Sequence, residues 1–211
     1  PVKDFVSGIK NTPKRIYDIS QRLQYREFVI VGLLIEKKGI NKDKFSTEND
    51  WIYIQDKNLQ MGRIQIFDNW SPMMNKHENA LLMGVEFFCN KNDYFWNLSN
   101  KEWSDIAISN LIKSNILCSK TYVLKSHAQK VEKAYPAYWD GYYNLNEIIN
   151  YINSLDNIFC IGRNGQHRYN NMDHSMETAF AAVDFILGKT KDKSSIWDVN
   201  TKQEYCEQKC K

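Results

Sequence analysis

The chain has 211 residues, of which 43% are hydrophobic and 25% charged, and its formal net charge is +3. These are ordinary values for a globular protein with a buried core, so a disordered, collagen-like or coiled-coil chain is excluded. Because acidic and basic residues nearly balance, the charge gives no bulk field for nucleic acid or a membrane surface. The sequence has only 9 glycines and contains no Gly-x-Gly-x-x-Gly run, the usual phosphate-binding fingerprint of dinucleotide domains.

The cysteines indicate the compartment. Their odd number and scattered positions predict no disulfide framework, so we expect a reducing, cytoplasmic environment. Cys206 and Cys210 lie in a charged tail without histidine, which leaves them two ligands short of a metal site. No apolar run approaches the roughly 18 residues needed to span a bilayer.

The first half of the chain predicts one helix followed by four strands. Residues 12–24 have Thr12 at the N-cap position and Pro13 at the first helical position. Alternating or β-branched runs then predict strands over residues 26–36, 51–55, 61–68 and 80–88. Loops rather than helices connect these strands, which favours antiparallel pairing.

The second half predicts three helices and two strands around an aromatic loop. Ser99 and Glu102 have the spacing of a capping box and open the first of these helices. Asn144 is placed to cap the second, and Gly188 to end the third. The predicted elements are a helix over 99–116, a strand over 120–132, an aromatic loop over 134–143, a helix over 144–154, a strand over 157–161 and a helix over 172–187.

This order of elements predicts an α+β fold. A mostly antiparallel sheet platform with flanking helices comes first, over residues 1–156. A strand–loop–helix unit over residues 157–188 then has the character of a parallel, nucleotide-binding layer. Residues 189–211 form a charged tail.

Residues 157–178 carry the groups most suited to binding. An apolar run ends at Gly162, and a polar loop leads into the last helix. A helix N-terminus presents free N–H groups and the positive end of the helix dipole to an anion or an electron-rich ring. Arg163 and Arg168 add cations with bidentate geometry. The neutral donors of the loop are Tyr169, Asn170 and Asn171.

A purely structural interpretation of the same loop stays open. Gly162 suits a tight turn, and Asn171 or Asp173 suits a helix cap. His167 and His174 are then surface residues. A metal site is disfavoured, because the spacing of these two histidines and Asp173 fits no standard ligand pattern.

A resemblance rests on residues 161–179, which read IGRNGQHRYNNMDHSMETA. This segment resembles the C-terminal flavin-contacting segment of the UDP-galactopyranose mutases, and of the wider flavin amine-oxidase and protoporphyrinogen-oxidase-like group. In the mutases it reads Gly-Arg and then, four residues later, Tyr-Arg-Tyr, one further residue and Asp-Met. The residues at 162–163 and 167–172 match that frame. Two positions depart from it: His167 stands where the mutases have Tyr, and Asn171, which carries no charge, stands where they have Asp.

Two upstream segments are also similar to the mutases. Residues 61–67, which read MGRIQIF, resemble the mutase strand whose arginine contacts the substrate diphosphate. The resemblance makes Arg63 a candidate for that contact. Tyr135, Pro136 and Tyr138 match the aromatic-proline element that precedes the final helix.

The resemblance implies an FAD site and a substrate site. The implied cofactor-binding residues are Gly162, Arg163, Asn171, Met172 and Asp173. The implied substrate-binding residues are Arg63, Tyr138, Tyr169 and Asn170. It implies neither a catalytic side chain nor a metal, because the flavin itself carries the difficult chemistry in this family.

The resemblance therefore predicts the C-terminal, substrate-side portion of an FAD-dependent enzyme that isomerises a sugar nucleotide for polysaccharide biosynthesis. The FAD-binding layer would be residues 157–188, and its partner would be an N-terminal dinucleotide-binding half that this sequence lacks. We expect the chain alone to be inactive and to bind FAD weakly. Three alternatives stay open: a fragment of an amine-oxidase-like or protoporphyrinogen-oxidase-like oxidoreductase, a non-catalytic module that binds a sugar nucleotide or a partner, and a split enzyme.

Overall fold

The structure is a computed structural model that describes residues 1–201. It consists of two compact units, Arg26–Glu132 and the described part of Pro1–Tyr25 with Lys133–Lys211. The strands are β1 Tyr25–Glu36, β2 Trp51–Tyr53, β3 Arg63–Ile66, β4 Ala80–Cys89 and β5 Val123–Pro136. The helices are α1 Val2–Gly8, α2 Lys14–Gln21, α3 Phe67–Trp70, α4 Asn100–Lys113, α5 Leu145–Asn153, α6 Gly162–Gln166, α7 Met172–Ile186 and α8 Ser194–Trp197. Short 3-10 helices cover Lys37–Gly39, Tyr94–Asn97, Lys120–Tyr122 and Asp140–Asn144.

The Arg26–Glu132 unit is built on a five-stranded sheet in the order β2-β3-β4-β1-β5. β4 pairs antiparallel with both β1 and β3, and β3 pairs antiparallel with β2. Because side chains alternate along a strand, one face of the sheet buries an apolar set that includes Val31, Ile64 and Val85. The ring of Trp103, on α4, lies 5.0 Å from that of Phe87 and joins the helix to this core.

Helix α4 has the predicted capping box. The Ser99 backbone N–H donates to the Glu102 carboxylate at 2.8 Å, and the Glu102 N–H donates to the Ser99 hydroxyl at 3.3 Å. Farther along the helix, the buried Asn110 accepts a bond from the Gln60 N–H at 2.8 Å and donates to the Gln60 side chain at 2.8 Å. These bonds fix the loop that leads into β3, and so the position of Arg63 at its start.

The second unit buries a separate helical core. Val6 of α1, Ile19 of α2, and Ile148 and Ile152 of α5 are all nearly or fully buried in one cluster. The Trp197 indole N–H donates to the Asn153 side chain at 3.1 Å, which ties α8 to the end of α5. None of the helices in residues 1–201 is long and apolar enough to cross a membrane.

The α+β class and the antiparallel sheet are confirmed, but the strand predicted over residues 157–161 is wrong. Residues 158–161 have no regular secondary structure, and the sheet that holds all five described strands does not include them. A strand needs a neighbour to complete its ladder, and this apolar run has none among the described residues, so it forms no strand. The predicted division at residues 156 and 188 stays a prediction, and Cys206 and Cys210 lie outside the described residues.

Two predicted helix starts are also corrected. Pro13 occupies the N-cap position of α2, and Thr12 is not its cap. The Thr12 hydroxyl donates instead to the Ile9 carbonyl at 3.0 Å, at the end of α1, a helix that the sequence analysis missed. Asn144 does stand at the N-cap of α5, but its side chain makes no capping bond. It bonds Glu147 and Arg22 instead.

Candidate functional site

Helix α6, which leads into the loop over residues 167–171 before α7, starts at a glycine. Gly162 has φ +70°, in the left-handed region that favours glycine. Its N–H donates to the Thr178 hydroxyl at 2.9 Å, and Thr178 is fully buried in α7. The start of α6 is therefore anchored to α7, and Gly162 has the structural role that the sequence left open.

Arg163, the second residue of α6, binds the far end of the loop between α6 and α7. Its Nε donates to the Asn170 carbonyl at 2.8 Å. Its guanidinium carbon lies 4.5 Å from the centre of the Tyr169 ring and 5.3 Å from that of Tyr135. These two rings stack with centres 5.6 Å apart. Cation–π contact and the charge-assisted bond thus fix the position of the Tyr169 ring.

Two exposed tyrosines lie side by side at this loop. The Tyr169 backbone N–H donates to the Tyr138 hydroxyl at 2.6 Å, and the Tyr138 ring stacks on Tyr142 with centres 4.6 Å apart. Desolvation raises the pKa of the Tyr138 phenol, which therefore keeps its proton at neutral pH. Since its oxygen already accepts from Tyr169, its O–H is the group left to donate to a ligand oxygen.

Asn170 and Arg168, both predicted to face a ligand, bond within the protein. Asn170 is 1% exposed, its amide donates to Gln166 at 3.1 Å, and its oxygen accepts from Asn200 at 3.0 Å. The Arg168 guanidinium donates to the Trp197 and Val199 carbonyls. In this conformation both residues stabilise the loop through bonds within the protein.

The remaining predicted cofactor residues lie together at the start of α7. Asn171 is the N-cap, and its N–H donates to the His174 ring at 3.3 Å. Met172 and Asp173 follow as the first helical residues, and both side chains are exposed. The 15-residue helix thus presents its positive end to solvent at this point.

His167, treated as a surface residue in the structural interpretation, is fully buried. Its Nε2 bonds the Ala137 carbonyl at 3.0 Å, and its ring packs edge-on against Tyr25 with centres 4.7 Å apart. Its φ is +49°, so it reverses the chain at the end of α6. Burial lowers the pKa of this imidazole, so the ring is neutral at pH 7.

The buried His167 predicts a pH-dependent stability. The unfolded chain takes up the proton near the ordinary histidine pKa of about 6.5, whereas the folded chain takes it up only at lower pH. Stability should therefore fall as the pH drops below about 6.5 and level off below the lowered folded-state pKa. Thermal melts of wild type and His167→Asn between pH 5 and pH 8 test this. The dependence of the melting temperature on pH should flatten in His167→Asn. It should persist in His77→Gln, which changes an exposed loop histidine. Equal pH dependence in wild type and both variants would contradict the prediction.

In the Arg26–Glu132 unit, Arg63 lies opposite a carboxylate. The Arg63 Nε donates to Glu86 at 2.8 Å, and the Arg63 side chain is only 13% exposed. Glu86 is fully buried and also accepts from the Gln65 amide. Sequence reasoning missed Glu86. The sequence signal was an acidic residue inside the apolar run of β4. In the structure, Arg63 and Glu86 lie directly opposite each other in the β3–β4 register.

A comparison with solved structures identifies the fold. The crystal structure of a reduced UDP-galactopyranose mutase matches with a TM-score of 0.78 and 21% sequence identity, over 94% of this chain and 42% of that chain. The chain has the fold of part of this mutase. It spans less than half of the mutase's length, and at this identity the match establishes the fold alone.

The other comparisons add little to the mutase match. A protoporphyrinogen oxidase-like protein from Exiguobacterium sp. 255-15 matches with a TM-score of 0.46 and 10% identity, over 61% of this chain and 27% of that chain, which is too weak to support an argument. No protein-family model and no curated protein sequence matched. Within the mutase-like fold, Arg63 lies in one compact unit, and all the other predicted site residues lie in the other.

Proposed function

We propose that the chain is the substrate-side portion of a flavin-dependent enzyme that acts on a sugar nucleotide, with ring isomerisation of the UDP-galactopyranose mutase type as its reaction. The observation that carries this proposal is the loop at the start of α7, which has the mutase-like Gly-Arg and Arg-Tyr pattern in a chain of mutase-like fold. A cytoplasmic location and a role in polysaccharide biosynthesis belong to the same proposal.

The start of α7 fits the edge of a flavin ring. Among the described residues, the N–H groups of Met172 and Asp173 have no bonded protein acceptor, and they stand at the positive end of a long helix. Such an end suits the electron-rich carbonyl edge of the isoalloxazine ring of FAD. The exposed Met172 side chain adds an apolar contact. When bound, the flavin would supply the nucleophile of the reaction.

The chain's own groups would bind and orient the substrate. Arg63 is proposed to bind the diphosphate, and its orientation is fixed by Glu86. In the other unit, the phenols of Tyr138 and Tyr169 are proposed, separately, as donors to a ligand oxygen. Arg163 would hold Tyr169 in place through its ring contact and its bond to the Asn170 carbonyl.

The exposed face of α7 supports the proposed partner. Five large apolar side chains share this face and are each about half exposed or more: Met172, Met176, Phe180, Val183 and Leu187. Residues 158–161, which lie just before α6 and α7, have no strand neighbour among the described residues. We propose that a dinucleotide-binding half covers this helix face and pairs with this segment, and that it completes the FAD site.

A flavin oxidoreductase acting on an amine or a carbon ring is the second candidate. Its support is the exposed aromatic cluster after β5, which would suit an apolar substrate. The exposed members of this cluster are Tyr138, Trp139 and Tyr143.

Titration with UDP-galactose tests the proposed function. We expect UDP-galactose to perturb tryptophan fluorescence more than a free amine does. Arg63→Ala should weaken UDP-galactose binding by about 1.5–3 kcal/mol, because a charge-assisted contact is lost. Arg15→Ala, which removes an arginine from an exposed ion pair, is the matched control and should leave the titration unchanged. A folded Arg63→Ala protein with the wild-type titration curve would remove Arg63 from the site, and a stronger response to amines would favour the oxidoreductase.

A further inference from the structure

One face of the sheet in the Arg26–Glu132 unit is not apolar. The register places Trp51 opposite Gln65, and Tyr53 opposite Arg63, while Arg63 also lies opposite Glu86. Because opposite residues in a ladder share a face, all five side chains lie on the side away from the apolar core. This face therefore combines aromatic rings with a cation and an amide.

The aromatic rings on this face are exposed and held in place. Trp51 and Trp70 are 48% and 45% exposed, and their rings meet edge to face with centres 4.6 Å apart. Tyr53 is 66% exposed. Trp70 ends α3, whose Asn69 side chain donates to the Thr47 carbonyl at 2.8 Å. Trp51, Tyr53 and Trp70 are called the aromatic shelf below.

The shelf adjoins the arginine proposed to bind the diphosphate. The Arg63 guanidinium carbon lies 5.8 Å from the centre of the Trp51 ring and 5.6 Å from that of Tyr53. The Arg63 Nε and Nη2 atoms bond Glu86, and its Nη1 donates to the Tyr53 hydroxyl at 3.4 Å. The guanidinium is thus fixed beside the rings. A phosphate bound to Arg63 would place the group attached to that phosphate against the shelf.

We propose that the aromatic shelf is a saccharide-stacking subsite, which takes the sugar ring of the sugar nucleotide whose diphosphate binds Arg63. In a sugar nucleotide the sugar is bonded directly to the diphosphate, whereas the base is separated from it by the ribose. The Trp51 and Tyr53 rings, whose centres lie 5.8 and 5.6 Å from the Arg63 guanidinium carbon, are therefore in reach of the sugar. The apolar C–H face of a pyranose stacks on an aromatic ring, and neighbouring polar side chains then bond its hydroxyls. This inference rests on the proposed function.

Calorimetric titration with UDP-galactose and with UDP tests the subsite. The variants are Trp51→Ala, Trp70→Ala and, as a control, Tyr94→Ala, which removes a 77% exposed aromatic ring from the same unit but outside the shelf. Trp51→Ala and Trp70→Ala should each weaken UDP-galactose binding about 10-fold, a value typical of a lost ring-stacking contact, and leave UDP binding within about 2-fold. Trp51→Phe should recover most of the loss, because it keeps a ring.

The outcomes separate this inference from the proposed function. If both shelf variants bind UDP-galactose and UDP like wild type, the subsite is wrong, while UDP binding still supports the proposed function. If they weaken both ligands equally, the shelf does not contact the sugar and the subsite is again wrong. If the variants change only the oligomeric state measured by sedimentation, the shelf is a protein interface and the inference is overturned. If folded wild-type protein binds neither ligand, the proposed function itself fails.

Discussion

Replacing Glu86 with alanine is expected to lower the free energy of unfolding by about 3–5 kcal/mol, because Arg63 would stay in the sheet without its counter-charge. Glu86 is fully buried and the Arg63 side chain is only 13% exposed, so water can replace little of the lost bond. The Gln65 amide would lose its acceptor as well. Urea denaturation followed by circular dichroism measures this change.

The control for Glu86→Ala is Glu36→Ala, at the end of β1. Glu36 pairs with Lys38 at 2.7 Å, but the Lys38 side chain is 71% exposed, so water replaces the lost contact. The denaturation midpoint of Glu36→Ala should stay close to that of wild type. If Glu86→Ala and Glu36→Ala have the same midpoint, Glu86 does not hold Arg63 in the way described.

Replacing Trp103 with alanine should cost about 3–5 kcal/mol of stability, because it leaves a large cavity between α4 and the sheet. Trp103 is 1% exposed, and its ring packs against Phe87 and Phe95. The indole N–H has no hydrogen-bond partner within residues 1–201, so Trp103→Phe removes an unsatisfied donor along with part of the ring. Trp103→Phe should therefore lose less than half of what Trp103→Ala loses.

The same urea experiment includes Tyr94→Ala as a surface control, since Tyr94 is 77% exposed. Its midpoint should stay near that of wild type. A Trp103→Ala protein as stable as Tyr94→Ala would show that α4 does not close the core of the sheet as described.

Much of the sheet was predictable because its signals are local. Alternation over β3 and the β-branched run of β1 predict strands without knowledge of their partners. Ser99 and Glu102 predict the start of α4, since both bonds of a capping box lie within one turn. Gly188, with φ +72°, follows α7 as the sequence indicated.

The failures concern contacts that are distant along the chain. The apolar run over 157–161 has the composition of a strand, but a ladder depends on a neighbour that no local pattern specifies. Glu86 was missed because its partner lies 23 residues away in the sequence. His167 is buried by Ala137 and Tyr25, which are far from it in sequence.

In the candidate site, too, the local features were predictable and the contacts distant along the chain were not. The pattern from Gly162 to Asp173 predicted a polar loop before a helix; the structure has a loop over residues 167–171, but residues 162–166 form helix α6 instead. The pattern did not reveal that Asn170 and Arg168 bond inward, because Asn200 and the carbonyls of residues 197 and 199 are about 30 residues away. A motif thus predicts which residues meet at a loop, and packing decides which of them face a ligand.

Native mass spectrometry of the intact chain with UDP-galactose tests the central claim, that this chain binds the substrate of a flavin-dependent sugar-nucleotide enzyme. We predict a complex with one UDP-galactose per chain, which UDP displaces and a free amine at the same concentration does not. A folded chain that forms no complex with UDP-galactose or UDP would contradict the claim.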